Sequence, residues 1–324
     1  MDYSVKFETI RAGDVAIRVA VAGEGPLVLY VHGFPESWYS WRHQIKPTVD
    51  AGFKFAAVDV TGYGGSDNPH PVERYSMENL TRDIANVARA MSPDKKVIIV
   101  GHDWGAPISW NTALLYPDTV KAVGCMSVPY TPPGDRMFLD VIHDIFTRRG
   151  KFFYQVYFQE EGVAEAELEA NTRDSLRRFY YALSGDAPEG TWPLDKVDGD
   201  PLLYRLPDPD PFPAWMSEEV LDYYEAEFRK SGFRGPLNRY RNHQRDFDFL
   251  SALPDKKIYQ PALFIGGTSD LAIKIMPNFD PMEAMAPHVP NLEVGVMLEG
   301  CGHWTQQERP DEVNEHLIPW LKAQ

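Results

Sequence analysis

Basic residues are in the minority in this 324-residue sequence, cysteines are nearly missing, and long apolar runs do not occur. Lysine and arginine total 32 against 47 aspartates and glutamates, a formal net charge of −15. A protein that tracks nucleic-acid phosphates needs a basic surface, so that class of function is excluded. The two cysteines, Cys125 and Cys301, cannot build a disulfide framework or a four-cysteine zinc site. A reduced, cytoplasmic setting is the simpler reading. No apolar stretch approaches the ~20 residues that cross a bilayer, so no membrane span is expected. The opening Met1-Asp2-Tyr3-Ser4-Val5-Lys6 lacks the basic-then-apolar layout of a signal peptide. No H-E-x-x-H occurs, His-Asp fragments lack ligand spacing, and no metal or cofactor is expected.

What is present supports a sizeable core: 44% of residues are hydrophobic and 13% aromatic. A prior of roughly 150 residues per domain allows two domains, or one with a large insertion. Short apolar runs at 15–21, 26–31, 55–60, 97–100 and 122–127 read as strands that alternate with helix-period segments, the α/β pattern. One helix is predicted over 76–91, with Ser76 as N-cap and Leu80, Ile84, Val87, Ala88 and Met91 on one face. Another should start after Asp103 and stop before Pro117. Past Ser127 the alternation ends, and about a hundred mostly helical, aromatic-rich residues follow, broken by an extended loop at 206–213. Strand signals return at 262–266 and 292–298, and an amphipathic helix over 310–321 closes the chain. The division predicted is a sheet core over 1–133 and 248–324, with a helical insertion over 134–247.

The most specific motif is Val97-Ile98-Ile99-Val100-Gly101-His102-Asp103-Trp104-Gly105-Ala106. An apolar strand meets a sharp turn and then a helix, with a glycine two residues before and two after the central Asp103. This is the G-x-nucleophile-x-G elbow of α/β-hydrolases, with aspartate where serine usually stands. The central residue sits at a strained backbone angle, so its neighbours must be small for strand and helix to approach. An aspartate is already ionised at neutral pH and needs no base to activate it. It can displace a leaving group at a saturated carbon and leave an alkyl ester on the protein.

A triad should continue in the order nucleophile, acid, histidine. Ala262–Gly266 runs into a loop ending at Asp270, the expected acid, and Gly300-Cys301-Gly302-His303-Trp304 follows the last strand and can present His303. The oxyanion hole should come from Val31-His32-Gly33-Phe34-Pro35, where the backbone N–H groups of Phe34 and Trp104 converge beside Asp103. Phe34-Pro35 is a candidate cis peptide. His303, oriented by Asp270, would then deprotonate a water that attacks the ester carbonyl.

Together His32-Gly33-Phe34-Pro35-Glu36, Gly101-His102-Asp103-Trp104-Gly105 and Cys301-Gly302-His303-Trp304 resemble the α/β-hydrolase epoxide hydrolases of the soluble type. The resemblance runs from about Val15 to Leu321. It implies an α/β-hydrolase fold with a mostly parallel central sheet and an inserted helical cap, acting on a small-molecule epoxide and water. Phe153-Tyr154-Gln155-Val156-Tyr157-Phe158-Gln159-Glu160 and Ser231–Asn242 are similar to the family's two cap segments. In that family one tyrosine from each segment faces the nucleophile, and the matching positions are Tyr154 and Tyr240. Nothing in spacing selects them among 16 tyrosines. Two phenols can hydrogen-bond the epoxide oxygen and protonate it as its C–O bond breaks. Phe34, Trp104, Tyr157 and Trp304 are expected to line the substrate pocket. Arg239 departs from a relative with an aromatic residue there, and is expected to change the polarity of the pocket but not the catalytic set. The family includes cap-mediated dimers, so a homodimer stays open.

A haloalkane dehalogenase shares the Asp elbow and the following Trp. Its second halide donor usually follows the His-Gly pair, where this chain has Phe34, with no side-chain N–H. A fluoroacetate-type dehalogenase would want Arg where Trp104 stands, and Asp103 excludes a serine esterase. A non-catalytic ligand-binding protein of the same fold is the remaining alternative, and the intact triad and tyrosines argue against it.

Overall fold

The computed structural model describes residues 4–275 and 278–324, so the first three residues of the N-terminal segment read above lie outside it. Among the described residues eight strands form one sheet in the order β1-β2-β4-β3-β5-β6-β7-β8. They are β1 (Lys6–Ala12), β2 (Val15–Ala22), β3 (Leu27–Val31), β4 (Lys54–Val58), β5 (Val97–His102), β6 (Val120–Met126), β7 (Ala262–Gly267) and β8 (Leu292–Leu298). Strand β2 pairs antiparallel with β1 and β4, and every pairing from β4 to β8 is parallel. The mostly parallel sheet that the resemblance implies is therefore present, and no helix among the described residues is long and apolar enough to cross a membrane.

Strands β3, β5 and β7 are buried at every position. Parallel strands covered on both faces read as continuous apolar runs, which is why these were legible. Strand β1 was not, because only Ala12 in it is fully buried and its place is set by the β2 ladder. One apolar cluster fills the face under helices α1 (Met77–Met91) and α2 (Gly105–Leu115). The other face packs Trp38, Trp41 and Phe55 against Trp320 and Leu317 of the closing helix Pro310–Ala323. Ser76 caps α1 by accepting the Asn79 N–H, and Leu80, Ile84, Val87 and Ala88 are buried along one face as their spacing requires.

Between β6 and β7 the chain leaves the sheet. Helices run from Phe138–Ile145 to His243–Ser251, the last crossing position 247, and 206–213 has no regular structure. Hydrogen bonds tie this helical segment to the sheet half at several points. Tyr180 Oη donates to Pro35 O at 2.7 Å, Trp304 Nε1 to Tyr180 O at 2.8 Å, and the His303 N–H to Leu183 O at 2.9 Å.

Packing is very tight where α2 passes β3. A Cβ on Gly105 would lie 2.1 Å from Val31 O, and one on Gly101 would lie 2.2 Å from Gly105 O. Gly105→Ala must push helix and strand apart. It is expected to lower the unfolding free energy in urea by ~1–3 kcal/mol, the usual range for overpacking. Gly134→Ala, where an added Cβ meets nothing within 4 Å, should change it by less than about 0.5 kcal/mol.

Candidate active site

Strand β5 carries the chain straight to Asp103, which adopts φ 49°, a left-handed angle uncommon for a residue with a side chain. Helix α2 begins two residues later, so the carboxylate stands at the strand–helix corner. A Cβ on Gly33 would fall 2.3 Å from Asp103 Oδ1, so the 32–36 loop presses its backbone directly on this side chain. The consequence is a short bond: the Phe34 N–H donates to Asp103 Oδ1 at 2.7 Å. The Phe34–Pro35 peptide is cis, as the turn suggested. His32 anchors the loop on both sides: its Nδ1 lies 2.8 Å from Gly33 O, and its Nε2 accepts the Val60 N–H at 3.0 Å.

The three residues chosen by order along the chain meet in space. His303 Nε2 lies 3.2 Å from Asp103 Oδ2, and His303 Nδ1 lies 3.0 Å from Asp270 Oδ1. Asp270 is fully buried and His303 nearly so. Burial pulls the His303 imidazole down, but the charges and hydrogen bonds of Asp270 and Asp103 outweigh it, and the ring ends well above its ordinary value. For Asp103, burial favours the neutral acid. The His303 bond and charge, the His102 charge and the Phe34 N–H reverse that, so the carboxyl titrates below its ordinary range. Across the 3.2 Å contact each group therefore favours the charged form of the other.

A cavity of about 360 Å³ opens beside this pair. Asp103, His303, Tyr154 and Tyr240 all line it, with Phe34, Trp104, Phe138, Phe153, Trp192 and Ile273 among its apolar walls. The rings of Tyr154 and Tyr240 meet edge to face at 6.1 Å, and Tyr240 packs on Trp104 at 5.2 Å. Both phenols are pushed above their ordinary value, first by burial and then by the Asp103 charge, so both carry their proton at neutral pH. Gln155 Nε2 donates to Tyr154 Oη at 2.8 Å, which leaves that phenol's own hydrogen free to point elsewhere.

Some expected positions lie elsewhere. Tyr157 is outside the cavity lining, its hydroxyl turned to Glu167 Oε2 at 2.7 Å. In the four-residue helix Tyr154–Tyr157 the second tyrosine is half-buried, and its hydroxyl is taken by the half-buried Glu167 carboxylate instead. Trp304 also lies outside the lining: it is fully buried behind His303 and spends its indole N–H on Tyr180 O. Arg239 does not reach the cavity either. Its guanidinium lies 4.4 Å over the Trp104 ring, donates to Tyr75 O at 2.7 Å and pairs with Asp246, so it braces the wall from behind.

Three contributors had little or no signal of their own. Glu36 is fully buried and accepts from Gly33 N at 2.9 Å, His102 Nδ1 at 2.8 Å, and Gln306 and Gln307 Nε2 at 3.0 Å each. His102 Nε2 in turn donates to His303 O at 2.7 Å, so one buried pair joins the 32–36 loop to the histidine loop. Glu308 accepts the N–H groups of Gly185, Gly302 and Trp304 at 2.8, 2.9 and 3.0 Å, and thereby shapes the turn that carries His303. Ser127, at φ 69°, touches both Asp270 and His303. Glu36 stood within a quoted motif, whereas Glu308 and Ser127 are marked only by what the fold brings to them.

The Glu36–His102 pair sets a pH window. Burial raises Glu36, but His102 and the Gly33 N–H bring it below its ordinary 4.5, so its contribution is present above 4.5 and lost as pH falls through the folded value. Burial lowers His102, but Glu36 brings it above its ordinary 6.5, so its contribution is full below 6.5 and fades as pH rises through the folded value. In urea unfolding, wild type should exceed Glu36→Gln most between pH 4.5 and 6.5. The gap there should be about 1.5–3 kcal/mol, the range for a hydrogen bond to a charged group, and should narrow at alkaline pH. A gap that widens toward pH 10 would contradict the pairing.

Comparison with known proteins agrees with the fold. The family described as the alpha/beta hydrolase fold matches residues 26–310. "Epoxide hydrolase A" of Mycobacterium tuberculosis is 40% identical over 311 residues, which cover 95% of this chain and 94% of that protein. "Bifunctional epoxide hydrolase 2" of the mouse is 37% identical over 324 residues, 100% of this chain, and the chain spans only 56% of that protein's length. Among solved structures, an epoxide hydrolase from an endophytic Streptomyces superposes with a TM-score of 0.91 at 43% identity, covering 99% of this chain and 96% of that one. The chain belongs to the epoxide hydrolases of the α/β-hydrolase fold.

Proposed function

We propose that the chain hydrolyses a neutral, largely apolar epoxide to a vicinal diol through a covalent ester on Asp103. The observation that carries the reading is one cavity whose wall holds an ionised carboxylate and two protonated phenols. A carboxylate acting as general base for direct attack by water needs a basic oxygen, whereas the Phe34 N–H and His303 hold Asp103 below its ordinary range. A carboxylate nucleophile needs only to be ionised and placed at the cavity wall.

In the first half-reaction an Asp103 oxygen attacks an epoxide carbon from the side opposite the C–O bond that breaks. The departing oxygen accepts a hydrogen bond from Tyr154 and Tyr240 and takes a proton from one of them. Attack removes the negative charge of Asp103. His303 then loses one of the two carboxylates that hold its imidazole high, and it gives up a proton that balances the one lost by the phenol. Neutral His303, still held by Asp270, takes a proton from water as that water attacks the Asp103 ester carbonyl. The carbonyl oxygen becomes an oxyanion beside the Phe34 N–H and the free N–H of Trp104 at the start of α2. Collapse expels the diol, Asp103 re-ionises, and the proton count returns to the resting ion pair. The helical segment over 134–247 acts as a cap in this scheme, because it supplies both phenols and about half of the apolar wall.

The test is multiple turnovers of an aryl or alkyl epoxide in 18O-water followed by mass analysis of the peptide containing Asp103. Label is expected in that carboxylate, and diol formation without label there would exclude the ester. Tyr154→Phe and Tyr240→Phe should each lower the turnover rate and retain some activity. The double variant should fall by ~100-fold or more, within the span of general-acid contributions. A double variant that turns over like either single one would remove the phenols from the mechanism.

A further inference from the structure

Strand β6 lies between the strand that presents Asp103 and the strand that presents Asp270, and the residue that follows it has no role in the scheme above. Ser127 is fully buried, lines the cavity and holds φ 69°, a conformation that favours glycine. Its N–H continues the ladder to Ile265 O at 2.9 Å, so the turn itself is satisfied by backbone alone and a glycine would form it more easily. What the side chain adds is a hydroxyl placed between two functional groups. Ser127 Oγ donates its one hydrogen to Asp270 Oδ2 and lies 2.9 Å from His303 Nδ1, whose hydrogen Asp270 Oδ1 also accepts.

The three groups close a ring. Asp270 Oδ1 also takes the Ala272 N–H at 2.8 Å, and the serine holds the other oxygen, so the carboxylate cannot rotate about its last bond without losing a partner. With Asp270 held, the hydrogen stays on Nδ1 of His303, and Nε2 is left as the atom that can take a proton from water. We infer that Ser127 is a positioning residue for the hydrolytic half-reaction: its hydroxyl orients Asp270 and His303 for attack of water on the ester, and it has no part in forming that ester. This inference rests on the covalent reading given above.

The experiment compares Ser127→Ala, Ser127→Gly and, as a reference, His303→Gln. Each is mixed with excess epoxide, and intact-protein mass and diol release are followed together. Both serine variants should turn over ~10- to 100-fold more slowly, the loss expected for a hydrogen bond to a charged group. In both, the protein carrying the added mass of one substrate should become the main species during turnover, as in His303→Gln. Glycine relieves the left-handed backbone, so a Ser127→Gly protein with wild-type turnover would overturn the inference and leave the serine a turn residue. Slow turnover without accumulated ester in the serine variants, while His303→Gln accumulates it, would overturn the inference alone. Absence of the ester in all three would overturn the covalent reading and this inference with it.

Discussion

Backbone contact between β3 and α2 on either side of Asp103 is the constraint from which the site follows. With Gly105 against Val31 O, Gly101 against Gly105 O and Gly33 against the Asp103 side chain, there is no room for a single extra methyl group. The same closeness that forces Asp103 to φ 49° brings the Phe34 N–H to 2.7 Å from its carboxylate. A looser corner would relieve the angle but withdraw the donor. Strain and electrostatic stabilisation are two results of one packing decision.

Around that corner the buried charges are arranged in two linked groups. Asp103, His303 and Asp270 form one, and Glu36 with His102 the other, and the second holds the first through the His303 carbonyl. Each ionised group is expensive to bury, and each is offset by an opposite charge and by directed hydrogen bonds. Five residues from four separate stretches of chain are therefore held in one geometry. The helical segment joins the same network, since Leu183 O accepts from the His303 N–H and Gly185 N–H donates to Glu308. The wall facing the proposed nucleophile and the loop bearing the proposed base are thus built on one another.

Arg239 illustrates how a departure from a familiar pattern can be compensated out of reach of substrate. Its charge is neutralised by Asp246, which itself caps α1 by accepting the Met77 N–H at 2.7 Å. Its flat guanidinium covers Trp104 on the face away from the cavity, a place an aromatic ring could also fill. The pocket remains apolar while the brace behind it becomes ionic.

The sheet and the elbow were legible in the sequence because both impose local composition. Fully buried parallel strands require unbroken apolar runs, and the corner requires glycines at fixed distances from Asp103, so β3, β5, β7 and the G-x-D-x-G motif announce themselves. Order along the chain then selected Asp270 and His303, and resemblance, not spacing, selected Tyr154 and Tyr240. Tertiary structure alone decided the rest. Strand β1 exists by pairing and not by burial. Tyr157 and Trp304 turn away from the cavity toward Glu167 and Tyr180, and Glu36, Glu308 and Ser127 acquire their partners from segments up to 271 residues away. A hydrogen bond between distant residues leaves no periodicity, and a serine at the end of a strand looks the same whether it faces solvent or a buried carboxylate.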